Sequence, residues 1–94
     1  METIDQYRFS EEIAGARQTI DSTLVMLRTQ IQGLHNKLTT AIQDIETKGV
    51  SADLKYLGNI GDHINQIERQ VKTLKDQKAH MQQILVHIEM IRNG

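Results

Sequence analysis

Residues 46–53 read ETKGVSAD. They decide the fold because they interrupt two long runs of one apolar pattern. Gly49 suits the left-handed position that ends many helices, since it has no Cβ to clash there. Val50 follows where an apolar contact back onto the helix is expected. Ser51 is a good helix N-cap, and Asp53 would lie in the first turn after it. A connection this short makes the two flanking helices antiparallel neighbours.

Upstream of that break, FSEE (residues 9–12) offers Ser10 as an N-cap oxygen, with Glu11 and Glu12 where the helix dipole favours negative charge. Apolar residues then fall at Ile13, Ile20, Leu24, Leu27, Ile31, Leu34, Leu38, Ala41 and Ile45. From Ile20 onward the steps alternate between four and three, which is a heptad pattern. Ile13, Ile20, Leu27, Leu34 and Ala41 take position d; Leu24, Ile31, Leu38 and Ile45 take position a, with Arg17 filling the remaining a position. Downstream, Leu57, Ile60, Ile64, Ile67, Val71, Leu74, Lys78, Met81, Leu85 and Ile88 repeat the pattern, with Lys78 the polar exception.

The expected fold is therefore all-α: a single antiparallel two-helix hairpin over residues 1–94, with helix 1 about 10–48, a turn at 49–51 and helix 2 about 52–92. Each helix would be ~60 Å long, and the a and d rows would form the seam between them. Several apolar residues lie off those rows: Val25, Met26, Ile42, Ile84, Val86, Met90 and Ile91. Ile42, Ile84 and Ile91 fall at e or g and widen the stripe beyond a two-helix seam. Scattered surface apolar residues are normal, but a chain this small has little core of its own. The expectation is assembly into a four-helix bundle, with a second hairpin of this chain or of another protein.

Composition supports helices and excludes several other classes. The 94 residues include no Pro, Cys or Trp, and aromatic residues make up 3%. Absence of Pro removes the strongest helix breaker, and absence of Cys excludes a disulfide framework or a zinc–thiolate site. Net charge is −1 with both signs spread along the chain, so no field draws in nucleic acid. No apolar run approaches the ~20 residues of a membrane span. METIDQYRF (residues 1–9) has neither the basic nor the apolar region of a cleaved signal peptide.

Chemistry-bearing patterns are sparse. His35, His63, His80 and His87 read as solvated side chains: none stands at the i, i+3 or i, i+4 spacing of a helical metal pair with another histidine. Asp76 and His80 are four apart, a weak site at most. GNIG (residues 58–61) is too short to be a phosphate cradle and follows no strand. Arg69, Lys72, Lys75 and Lys78 wind round the helix by ~60° per step and alternate with Glu68 and Asp76, the pattern of a solvated face with helix-stabilising pairs. Lys78 at an a position either sets register against Asp21 or covers the seam with its stem while its ammonium reaches water. No catalytic residue, metal site or cofactor is expected; the chain reads as a binding protein, not an enzyme.

DLKYLGNIGDH (residues 53–63) carries the remaining signal. Gly58 and Gly61 each cost about 1 kcal/mol in a helix relative to Ala. They either admit another helix closely beside Tyr56, or Gly58 ends a short helical piece and Asn59 or Asp62 caps the main helix. Tyr56-Leu57-Gly58 is an aromatic-x-Gly triplet near the turn, and YRFSEEIAGARQTI (residues 7–20) places an aromatic residue before a helix rich in small residues. With the hairpin and chain length, this resembles the W-x-G motif and architecture of the small ESAT-like proteins of bacterial type VII secretion. The triplet has no Trp, and IEMIRNG (residues 88–94) lacks the family's Tyr-x-x-x-Asp or Tyr-x-x-x-Glu signal. The chain is thus most similar to the motif-less helical partners of LXG toxins. That resemblance implies a targeting factor or chaperone that binds the helical domain of a secreted effector, cytoplasmic before export and secreted with its partner. A homodimeric coiled-coil adaptor or assembly factor is the other class with the same heptads. Partner contact is expected at Tyr56, Leu57, Gly58 and Gly61 near the turn and at Ile42, Ile60, Ile84 and Ile91 on the outer face.

Overall fold

Two long helices, α1 (Glu2–Lys48) and α2 (Ile60–Asn93), pack side by side as a hairpin. The computed structural model describes residues 2–94. The hairpin is a rod of 71 × 16 × 15 Å.

α1 begins well before Ser10, which lies inside the helix instead of capping it. No Gly or Pro occurs between residues 2 and 14 to stop the helix. Phe9 is buried against the rest of the hairpin and holds this first part of α1 in place. The Arg8 guanidinium lies over the Phe9 ring, 4.7 Å from its centroid.

Gly49 ends α1 as its type suggests, with φ +67. A 3-10 turn over Gly49–Ser51 follows. The Ser51 hydroxyl donates to the Lys48 carbonyl at 2.6 Å. Ser51 therefore closes the C-terminus of α1 and does not open helix 2. The turn points Val50 outward at 105% relative exposure, so the expected apolar contact is not made.

Helix 2 also starts later than residue 52. Ala52 is extended (φ −63, ψ 140), and Asp53 Oδ1 accepts a hydrogen bond from the Lys55 N–H at 3.2 Å. Such local side-chain bonds offer the backbone an alternative to the helix. Gly58 and Gly61 weaken an α-helical start further. The chain instead takes a 3-10 segment over Lys55–Asn59, and α2 begins at Ile60. Asn59 occupies the N-cap position without a side-chain capping bond, and Asp62 lies in the first turn.

The seam is not the a/d seam. On α1, position d lines it through Ile20, Leu27, Leu34 and Ala41, but its second row is Phe9, Ala16, Thr23, Gln30, Lys37 and Asp44. On α2 the rows are Ile60, Ile67, Leu74, Met81 and Ile88, with His63, Gln70, Gln77 and Ile84 beside them. The a residues Leu24, Ile31, Leu38 and Ile45 are exposed, as are Ile13, Ile64, Val71 and Leu85. The reason is steric and geometric. Small residues on the second α1 row (Ala16, Thr23) and beside it (Gly33) admit α2, and one neighbouring helix covers only part of a stripe this wide. Thr23, 2% exposed, satisfies its hydroxyl by donating to the Thr19 carbonyl at 2.6 Å. Ile84, 3% exposed, is the most buried apolar side chain among the described residues; burying it contributes ~1.5–3 kcal/mol.

Candidate partner-binding faces

The rotation of the two helices gives the hairpin two unlike faces. Met26 and Gln30 of α1 line one depression with Gln66 and Gln70 of α2. Asn36, Lys37 and Thr40 line another with Tyr56. These cross-helix neighbours put the second seam rows of both helices on one side, and that side is mostly polar, with Val25 and Met26 its exposed apolar side chains. The exposed apolar rows lie on the far side of each helix's d-type row. Because the helices are antiparallel and rotated in the same sense, both apolar rows emerge on the opposite side of the hairpin. Leu24, Ile31, Leu38 and Ile45 run along α1 there, and Ile64, Val71 and Leu85 along α2, at 36% to 54% exposure.

The residues singled out from sequence do not make one patch. Ile42 is exposed beside the apolar face, and Ile91 is exposed near the open end. Ile84 is a correction: it was expected on the outer face, and it is buried in the hairpin's own seam because α2 turns its His63–Ile84 row toward α1. Ile60, Tyr56 and Leu57 are half-buried at the turn end, ~40 Å along the rod from Ile84 by helical rise. Gly58 and Gly61 are exposed, and a Cβ at either position would meet nothing within 4 Å. Close approach within the chain therefore does not explain these glycines.

Tyr56 is tied to α1. Its hydroxyl donates to Asp44 Oδ2 at 2.8 Å, bridging the second 3-10 segment to the last turns of α1. Partial burial, then the hydrogen bond and charge of Asp44 and the charge of Asp53, raise the phenol above its ordinary value of 10.0.

Close approach occurs instead at Gly33. A Cβ there would lie 3.4 Å from His63 Cε1, so the imidazole sits over the bare backbone of α1. His63 is half-buried, not solvated, and its Nδ1 is shut from solvent without a hydrogen-bond partner. No periodicity marks this pair, since it depends on the register between helices. His35, His80 and His87 are exposed, and no group of three potential metal ligands occurs among the described residues. Lys72 pairs with Asp76 at 3.1 Å on the surface, and Lys78 is exposed and forms no ion pair with Asp21. No helix among the described residues is long and apolar enough to cross a membrane.

The chain matches no protein-family model, no curated protein and no solved structure.

Proposed function

We propose that this protein is a non-enzymatic helical partner protein whose apolar face accepts a second pair of helices, completing a four-helix bundle. The observation that carries the reading is the direction of the a/d stripe, whose a row is uncovered. Rows a and d are ~50° apart on a helix, and the seam lies between d and the row on its other side, so the centre of the a/d stripe sits ~50° round from the line joining α1 to α2 and the a row ~75°. In a square bundle of four helices the common centre lies at about 45° from that line. A hairpin rotated this way is shaped as half of a bundle.

For the identity of the partner, the support is the resemblance to ESAT-like hairpins. It favours the helical domain of a secreted effector, with this chain as its targeting factor or chaperone. The homodimeric adaptor is the second reading, and the charge pattern described below favours it. The test is recovery of the tagged chain from its native host, beside an Ile31→Asp variant with its apolar face spoiled. The reading expects a helical protein to accompany the wild type and not the variant. Equal recovery with both overturns the assignment of this face.

A further inference from the structure

Resting on the open-face reading, we infer that a second copy of this chain covers the apolar face, packed with the two turns at opposite ends of the bundle. The face is large enough. The hairpin is 71 Å long and 16 Å across, so a strip over two thirds of its length approaches the ~800 Å² per partner of a standard interface.

The flanks of the face are self-complementary. On α1 the residue after each d position forms the outer flank: Tyr7, Ala14, Asp21, Arg28, His35 and Ile42. On α2 the flank carries Glu68 and Lys75. When α1 lies antiparallel on α1 of the second copy, pairing Asp21 with Arg28 places the two-fold axis midway between Leu24 and Val25. On α2, pairing Glu68 with Lys75 places it midway between Val71 and Lys72. These two points must coincide in level for both pairings to form at once. They do: each is the same number of residues along its helix from the Gly33–His63 contact. One two-fold axis therefore satisfies Asp21–Arg28 and Glu68–Lys75 twice each. The same axis brings Ile42, 57% exposed, to the level of Tyr7, 66% exposed, giving both apolar side chains a cover. Flanking charges of this kind set orientation and partner choice in helical bundles.

A dimer with its turns together would also join opposite charges, Arg28 with Glu68 and Asp21 with Lys75. Arg17 and Lys78 decide against it. Both occupy the exposed apolar rows, and counted from the Gly33–His63 contact they fall within one residue of a common level. Turns together would stack four cations in one layer of the bundle's centre, where like charges repel strongly. Turns opposed send each Arg17 and Lys78 to the level of Ile31 and Ile64 of the other copy, where their stems lie on apolar surface and their charged ends reach water.

The experiment combines sedimentation mass with charge swaps on the full chain. Wild type is expected to sediment as a dimer at micromolar concentration. Arg28→Glu is expected to weaken the dimer by about 10-fold or more. Asp21→Arg together with Arg28→Glu should restore it, whereas Arg28→Glu together with Glu68→Arg should not. Spin labels on Val50→Cys should then lie apart by roughly the length of the rod. Rescue by the Glu68→Arg combination, or labels close together, overturns the opposed arrangement. A wild-type monomer that still captures a helical protein through Ile31 overturns the second copy but leaves the open face standing. A wild-type monomer whose captures ignore Ile31→Asp removes both.

Discussion

The two faces of the hairpin use the same heptads to opposite ends. On the polar side, Thr23, Gln30 and Lys37 of α1 border the seam with His63, Gln70 and Gln77 of α2, and the hairpin is complete by itself. On the other side, Leu24, Ile31 and Leu38 stand beside Ile64, Val71 and Leu85 and remain in water. Apolar periodicity marks which residues belong to a core, but it does not say how many helices share that core. A stripe too wide for one neighbour is divided, and the part left in water is the face on which the proposed further pair of helices would pack.

The comparison breaks most visibly in the seam. Ile84→Asp puts a carboxylate where the side chain is 3% exposed, and Leu27→Asp does so in the half-buried middle. The expected loss is about 3 kcal/mol or more for Ile84→Asp and somewhat less for Leu27→Asp, read by thermal or urea unfolding followed by circular dichroism. Retention of the wild-type midpoint by both variants would contradict the seam described above.

Ile31→Asp probes the other face and should behave differently. At dilution it is expected to melt like the dilute wild type, within ~0.5 kcal/mol, because Ile31 is half exposed in the hairpin. The wild-type midpoint should rise with protein concentration, as it does when association stabilises the folded form. In Ile31→Asp that rise should vanish. A rise of equal slope in both proteins would place the association surface elsewhere.

Two glycines sharpen the distinction between open helix surface and seam. Gly15 lies within α1, and a Cβ there meets nothing within 4 Å, so Gly15→Ala is expected to stabilise by about 1 kcal/mol. At Gly33 the added methyl would touch His63, and the gain should be smaller. Equal gains would mean that α2 does not lean on α1 at that point.

The smallest effect concerns the turn end. Because the Tyr56 phenol is raised above 10.0, its contribution is fully present below pH 10 and is lost as pH rises through the raised value. Tyr56→Phe is expected to lower stability slightly at neutral pH and to flatten the decline above pH 10. An unchanged alkaline decline in Tyr56→Phe would show that the hydrogen bond to Asp44 is not its source.

Much of this molecule was legible as pattern. The alternating three and four steps from Ile20 and from Leu57 give two helices, and Gly49 gives the end of the first through its backbone freedom. Placement of the rows was not legible, because rotating a helix by one row leaves the periodicity unchanged. That ambiguity sent Ile84 to the outside and Leu24 to the inside. The start of α2 was hidden for a different reason. Ser51 and Asp53 are N-capping types, but here their oxygens bond Lys48 and Lys55 in the connection itself. The Gly33–His63 contact depends on inter-helix register, which no single helix encodes.

Burial along the rod is uneven, and this bears on how it moves. Phe9, Ala16 and Ile84 are buried toward the open end, Thr23 is buried near the middle of α1, and Ala41 and the Tyr56–Asp44 tie lie at the turn end. From 24 to 40 no α1 residue is buried. The middle of the rod thus has fewer buried side chains than the stretches on either side of it and is held by half-buried ones such as Leu27 and Leu34. Amide hydrogens around Gln30, Gly33 and Lys37 should exchange with deuterium sooner than those around Ala16 and Ala41, through local opening of the middle of the rod.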